Sequence, residues 1–271
     1  MIDGYKVGLA LSGGGAKGIA HLGVLKLLEE RGIKVDFLSG VSAGAIMGAL
    51  YADGNSPEDI CQYIKKSDMY HMLSLTMPRH GGITRMDQFG KFIKDKIKAE
   101  TFEDLRIPLV VNATELNDGK NVYFDKGPLL DCVIASASVP IFFKPMRIGG
   151  KLYVDGGLFC NLPAKILRKK GCDIVIGVHV NPITHEDKFE GIRDVSERVF
   201  HLCVNGNTIE QKKECDILIE TFRARAYGMF DASKAEEVFQ IGYEDAAAAL
   251  DAVDWDELMM SVRVSSKYKR L

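Results

Sequence analysis

The sequence has no charge imbalance, no cysteine pair and no long apolar run. Its 35 Lys+Arg stand against 37 Asp+Glu, a formal net charge of -2, so no global basic field draws in nucleic acid or an anionic membrane, and any such contact must be local. The longest uncharged stretch, Phe37 to Ala52, spans 16 residues and carries three glycines and two serines, short of a bilayer-spanning helix. Cys61, Cys132, Cys160, Cys172, Cys203 and Cys215 include no CxxC pair and no Cys/His cluster at zinc spacing, which points to reduced thiols in a cytoplasmic protein and to no bound metal. Asp3, Lys6 and a Val7–Leu11 run that breaks into glycines lack the form of a secretory signal. What remains is a 271-residue chain, 46% apolar, with enough core material to exclude disorder.

Val7–Leu11, Ser12-Gly13-Gly14-Gly15 and a helical stretch from Ala16 to Arg31, stopped by Gly32, form a strand, turn and helix. The unit recurs: a strand near Val35–Ser39 enters Gly40-Val41-Ser42-Ala43-Gly44 and a small-residue helix ending near Asp53-Gly54. Ser56-Pro57-Glu58-Asp59 predicts a capped helix start, and an amphipathic helix follows around Met86–Lys98. The methionine-rich stretch Met69–Thr84 between them has no period and is a lid candidate. Pro108–Thr114 and Ile174–Val180 suit strands covered on both faces, as in a parallel sheet. Asn121–Phe124 and an Arg147–Val154 hairpin turning at Gly149-Gly150 add further strands. A long helix (Ile192–Lys213), a strand (Ile217–Glu220) and a last helix (Ser233–Val253) follow without a linker. The expected architecture is one three-layer α/β/α sandwich on a mostly parallel sheet, with residues 5–180 as the core and 181–271 as an extension packed on the same domain. The basic tail Lys267, Lys269 and Arg270 is expected to be solvated.

Gly40-Val41-Ser42-Ala43-Gly44 fits a nucleophile elbow, in which small neighbours let a serine occupy a strained strand-to-helix turn with its hydroxyl presented. The helix beyond it favours negative charge at that hydroxyl. Gly13-Gly14-Gly15-Ala16-Lys17-Gly18 also joins a strand to a helix, where bare backbone can present N–H groups to a pyrophosphate or to a reaction oxyanion. The dinucleotide spacing is met, and Asp36 stands where a ribose-binding acid should by count, but at the entry of its strand rather than the exit. A phosphate-binding Walker loop is excluded, since no Gly-Lys-Ser/Thr ends the turn. Two such turns at one edge of a parallel sheet supply what acyl transfer requires. Two bases for Ser42 stand open. His179 completes an order Ser42, Asp155, His179, whereas Asp155-Gly156-Gly157 holds a carboxylate on a glycine turn that can approach the serine directly.

These three motifs, in this order, resemble the patatin-like phospholipase family, and Thr101-Phe102-Glu103-Asp104-Leu105, Ala135–Pro140 and Ser233–Glu237 extend the similarity to its bacterial branch. The resemblance implies a cofactor-free serine hydrolase of lipid acyl esters. Ser42 would be the nucleophile, Asp155 its general base and acid, and the amides of Gly13, Gly14, Gly15 and Ala16 the oxyanion hole. Gly18, Gly40, Gly44, Gly156 and Gly157 support these motifs. Lys17 pins the loop or meets an anionic head group. The resemblance also implies a lipid or acyl-ester partner and no need for calcium or nucleotide. Met69, Tyr70, Met72, Leu73, Leu75 and Met77 are suited to line an acyl channel or to dip transiently into a membrane surface, and a lid helix packed on the core is the alternative. A regulatory lipid-binding relative without catalysis is the rival reading, and intact Ser42 and Asp155 speak against it.

Overall fold

The structure is a computed structural model that describes residues 2, 4–66, 87–183, 185, 191–228 and 233–269. Met69–Thr84 and Arg270 lie outside the described residues. The sheet is laid down by β1 (Val7–Leu11), β2 (Phe37–Gly40), β3 (Leu109–Glu115), β4 (Lys120–Phe124), β5 (Met146–Ile148), β6 (Lys151–Asp155), β7 (Ile174–His179) and β8 (Ile217–Glu220). Their order is β5-β6-β3-β2-β1-β7-β8, with β4 paired to β3. The pairs β1–β2, β1–β7, β2–β3 and β7–β8 run parallel. Those of β3 with β4 and β6, and of β5 with β6, run antiparallel. The strands expected to be covered on both faces, β3 and β7, are buried throughout.

Alternation along β1 explains the layers. Leu9 and Leu11 enter the large core with Leu22, Leu25 and Leu28 of α1 (Ala20–Glu30) and Leu50 of α2 (Ala43–Ala52). Ala10 faces the opposite layer, against Leu162, Leu167 and Val175. There α6 (Ala164–Lys169) packs on β1, β2 and β7. The helices between are α3 (Pro57–Lys66), α4 (Asp87–Lys94) and α5 (Leu129–Ser136), and those after are α7 (Ile192–Gly206), α8 (Thr208–Lys212), α9 (Ala235–Asp251) and α10 (Trp255–Lys269). The three-layer arrangement is the one the sequence predicts.

Several elements differ from expectation, and two helices, α5 and α6, have no counterpart in it. The Ala16–Arg31 helix begins as a tight 3-10 turn, Gly15–Ile19, before α1. The long Ile192–Lys213 helix breaks after Gly206 at Asn207, whose side chain accepts from Asn161 N–H and donates to Gly157 and Leu158 carbonyls. A further helix, α10, follows α9. Asp254 starts it by accepting from the Asp256 and Glu257 amides, a capping signal present in the sequence.

The C-terminal part is tied to the first βαβ unit by backbone contact. A Cβ on Gly23 of α1 would lie 2.0 Å from the Phe239 carbonyl oxygen, and one on Gly242 of α9 would lie 2.0 Å from that of Ala20. Helix propensity alone makes Gly→Ala favourable by about 1 kcal/mol. Backbone cannot yield as a side chain does, so Gly23→Ala is expected to reverse that sign and destabilise the protein by about 1–3 kcal/mol in urea unfolding. A stabilised Gly23→Ala would contradict this packing.

Candidate active site

Parallel register brings the motifs to one level. Leu11 pairs with Gly40, and Gly40 with Val111, so the turn after β1 and the turn after β2 leave the sheet together. Two residues further along β3, Ala113 pairs with Asp155. Ser42, two residues past Gly40, and Asp155 therefore flank the same end of β3.

Ser42 has φ 55° and ψ -124°, a backbone conformation that costs a non-glycine residue about 1–3 kcal/mol unless surroundings enforce it. Here they do. Its N–H donates to Ser136 Oγ at 2.9 Å, Gly44 N–H donates to Val41 O at 2.9 Å, and Ala45 and Ile46 amides donate to Ser42 O. A Cβ on Gly40 would strike the Gly44 carbonyl at 2.5 Å, and one on Gly44 the Leu11 carbonyl at 2.3 Å, so both glycines are sterically required. Ser42 caps α2, whose N-terminal partial charge favours an anion there.

The glycine turn packs against the elbow. A Cβ on Gly13 would lie 3.1 Å from Ser42 Cβ, and one on Gly18 would lie 2.5 Å from Ala43 Cβ. Gly13 N–H donates to the Asn161 carbonyl at 3.3 Å. The Gly14 and Gly15 amides, by contrast, donate to no carbonyl among the described residues. Gly15 holds φ 60°, and Ala16 follows it, buried, in the 3-10 turn. Lys17 Nζ donates to Asn181 Oδ1 at 2.8 Å, which anchors the turn to the residues after β7.

Asp155 ends β6, is 1% exposed, and accepts from Gly157 N–H at 2.7 Å through Oδ1. Burial pushes its carboxyl up to about 7, while a hydrogen bond from the Ser42 side chain and that from Gly157 N–H pull the other way. Oδ2 is buried and has no hydrogen bond of ordinary geometry among the described residues, so the serine contact is a loose one. A Cβ on Gly156 would meet the Asn112 carbonyl at 2.3 Å.

The histidine order found in the sequence is not assembled. His179 is fully buried, and its Nδ1 faces Glu220 Oε1 at 3.1 Å. Burial lowers its pKa, so a neutral ring donates Nδ1–H to Glu220, whose carboxylate is held down at about 2 chiefly by that bond. His21 Nε2 lies 2.8 Å from the Ser12 carbonyl. Among the described residues no hydrogen bond joins either histidine to Ser42 or Asp155.

Sequence reasoning passed over Ser136, Ser138 and Asn161. Asp155 N–H donates to the Ser138 carbonyl at 2.9 Å, so one turn at the end of α5 grips both Ser42, through Ser136, and Asp155. The Ala135–Pro140 resemblance was the available signal for the first two. For Asn161, six residues past Asp155, nothing local marked it.

The burial of Asp155 predicts a pH signature. Its native pKa, about 7, exceeds the ordinary 3.8, so the native state keeps a proton that the unfolded chain releases, and stability falls as pH rises from about 4 to 7. For Asp155→Asn the loss disappears, by an amount on the order of 4 kcal/mol. The melting temperature of the variant relative to wild type should therefore climb over that window and level off above it. A difference independent of pH would contradict a buried, proton-retaining Asp155.

With the geometry in place, residues 9–168 match the family described as patatin-like phospholipase, which is more than half of the chain. An NTE family protein of Mycobacterium tuberculosis is 34% identical over 178 residues, covering 65% of this chain and 49% of that protein. Lysophospholipase NTE1 of Kluyveromyces lactis is 28% identical over 274 residues, covering 89% of this chain and 19% of that protein. The chain thus spans about half the length, or less, of these curated relatives. Among solved structures, VipD from Legionella pneumophila gives a TM-score of 0.54 at 17% identity over 92% of this chain and 67% of that one. Human GIVD cytosolic phospholipase A2 gives 0.52 at 13% over 96% and 60%. Both share the fold. On the family match, this chain belongs to the patatin-like phospholipase family.

Proposed function

We propose that the chain is a serine hydrolase of lipid acyl esters that works through Ser42 and Asp155 without a histidine. The observation that carries this reading is the buried Asp155 carboxyl, raised to about 7 with the Ser42 side chain in loose contact beside it. A base at that pKa is matched to neutral pH, which an ordinary aspartate is not. Ser42 Oγ attacks the ester carbonyl as Asp155 takes its proton. The Gly14 and Gly15 amides, with Ala16 beside them, receive the oxyanion, and Gly13 holds the turn against Asn161. Asp155 then protonates the leaving alkoxide, and water hydrolyses the acyl-enzyme. Residues 5–180 form the catalytic core in this reading, and 181–271 complete the same domain. That the NTE1 relative is a lysophospholipase supports lipid esters as the substrate class.

The reading extends to transient contact with a lipid surface in the cytoplasm. No helix among the described residues is long and apolar enough to cross a membrane. Next to the site, apolar side chains are nevertheless left in water: Ile141, at φ 76°, is exposed, as are Phe159, beside the Asp155 turn, and Ile192, Val195, Val199 and Leu202 of α7, which packs on that turn. Ile141→Asp and Val199→Asp are expected to lower co-sedimentation with phosphatidylcholine vesicles and leave turnover of soluble short-chain esters within a few-fold of wild type. Equal retention on vesicles would remove the surface contact.

The central test is labelling with a fluorophosphonate probe together with turnover of p-nitrophenyl esters of increasing chain length. Ser42→Ala is expected to abolish labelling, and both Ser42→Ala and Asp155→Asn to cut kcat by about 10³-fold or more. Wild-type kcat/KM should rise with pH through an inflection near the Asp155 value of about 7. His179→Ala should retain most turnover. A loss at His179 comparable to that at Ser42 would replace the proposed base.

A further inference from the structure

The proposed cycle leaves one chemical demand unmet. In the free enzyme two groups favour the charged Asp155 carboxyl, the Ser42 side chain in loose contact and the Gly157 N–H, which donates to Oδ1. Acylation removes the first: Ser42 Oγ becomes bonded to the acyl carbon, and its proton leaves with the alcohol by way of Asp155. The carboxylate is then buried with the Gly157 amide alone, and it must still deprotonate a water that has to be held over the acyl carbon. A buried charge in that state needs another hydrogen-bonded partner.

Asn161 is 2% exposed, and its main chain is already committed. Its carbonyl accepts from Gly13, and its N–H donates to Asn207 Oδ1 at 2.7 Å. Asn207 Nδ2 in turn donates to Gly157 O at 2.7 Å. The Asn161 main chain and the Asn207 side chain thus join the glycine turn to the Asp155 turn, and the Asn161 side chain is not needed for that tie. The carboxamide nevertheless sits in the crevice between them. Its Oδ1 is 2.5 Å from where a Cβ on Gly13 would be, a point 3.1 Å from Ser42 Cβ. It is 2.9 Å from the corresponding point on Gly157, which is 3.0 Å from Asp155 Oδ1. Asn161 Nδ2 is buried and has no hydrogen-bond partner among the described residues, and the same holds for Asp155 Oδ2. The Asn161 carboxamide and the Asp155 carboxyl, each with a buried atom that lacks a partner among the described residues, thus meet at the crevice between Gly13 and Gly157.

We propose that Asn161 is a further catalytic residue: its Nδ2 donates a hydrogen bond to the water that hydrolyses the acyl-enzyme, while Asp155 Oδ2 accepts that water's proton. The water oxygen bonds to the acyl carbon, the bond from that carbon to Ser42 Oγ breaks, and the proton held by Asp155 returns to Ser42 Oγ. The inference rests on the Ser42–Asp155 reading above and assigns the second half of its cycle.

Asn161→Ala keeps every main-chain contact, and Asn161→Asp keeps the shape while replacing the donor by an acceptor. On p-nitrophenyl butyrate both are expected to lose kcat by about tenfold to a hundredfold with kcat/KM, which reports acylation, changed less than about threefold, so that KM falls with kcat. Stopped-flow traces should show a p-nitrophenol burst approaching one equivalent, and intact-mass measurement a butyryl group on Ser42. Asn161→Asp should also move the inflection of kcat against pH upward, because a second carboxylate beside Asp155 disfavours its charged form. If Asn161→Ala does not fold, Asn161→Asp carries the test. Equal losses in kcat and kcat/KM without a burst, or no loss, would overturn the assignment. Retained fluorophosphonate labelling and kcat/KM in the same variants would leave the Ser42–Asp155 reading standing, which separates the two failures.

Discussion

Taking the Asp155 carboxyl out of water is the constraint around which this molecule is arranged. Desolvation raises its pKa into the range where histidine ordinarily works, so a carboxylate can do what a histidine–acid pair does elsewhere. The cost falls on the fold: at neutral pH a group that prefers to be charged is kept where charge is disfavoured. Total stabilities of domains are only about 5–15 kcal/mol, so a penalty of a few kcal/mol has to be offset by packing. The extensive core shared by α1, α2, α9 and the central strands supplies that packing. Its tightest joint is the glycine-mediated crossing of α1 and α9.

Geometry does the rest through backbone. Ser42 is held at a positive φ by hydrogen bonds from its own helix and by the Ser136 hydroxyl. Asp155 is held by its register with Ala113, by the Ser138 carbonyl and by the Gly157 amide. Since Ser136 and Ser138 belong to one turn, the distance from Ser42 to Asp155 is set by one short segment rather than by two independent loops. The glycines of all three motifs are explained by proximity: at Gly13, Gly18, Gly40, Gly44 and Gly156 a methyl group would collide with neighbouring atoms of the site.

Much of this was written in the sequence, and what was not has identifiable causes. β1, β8 and the Gly149-Gly150 hairpin were legible because apolar runs and turn residues act locally. The elbow was legible because strain of that kind tolerates few residue types. The break at Asn207 was not, since the residue's partners, Asn161, Gly157 and Leu158, lie far away in the chain. The helix α5 was hidden for a similar reason: its apolar residues face β3, β5 and β6, contacts that exist only once the sheet has formed. The sequence also left Asp155 a weak base on paper, because the shift in its pKa comes from burial, a property of the assembled fold. His179 looked plausible by chain order alone, and its ring turned out to serve Glu220.

The most direct test of the account is the titration of the Asp155 carboxyl itself in the ligand-free protein, followed by the carbon-13 shift of its Cγ and assigned by its disappearance in Asp155→Asn. An inflection close to 7, the value burial imposes, is the predicted result. A midpoint near 4, the ordinary range of an aspartate in water, would mean that the carboxyl is not desolvated and that the proposed base does not exist in this form.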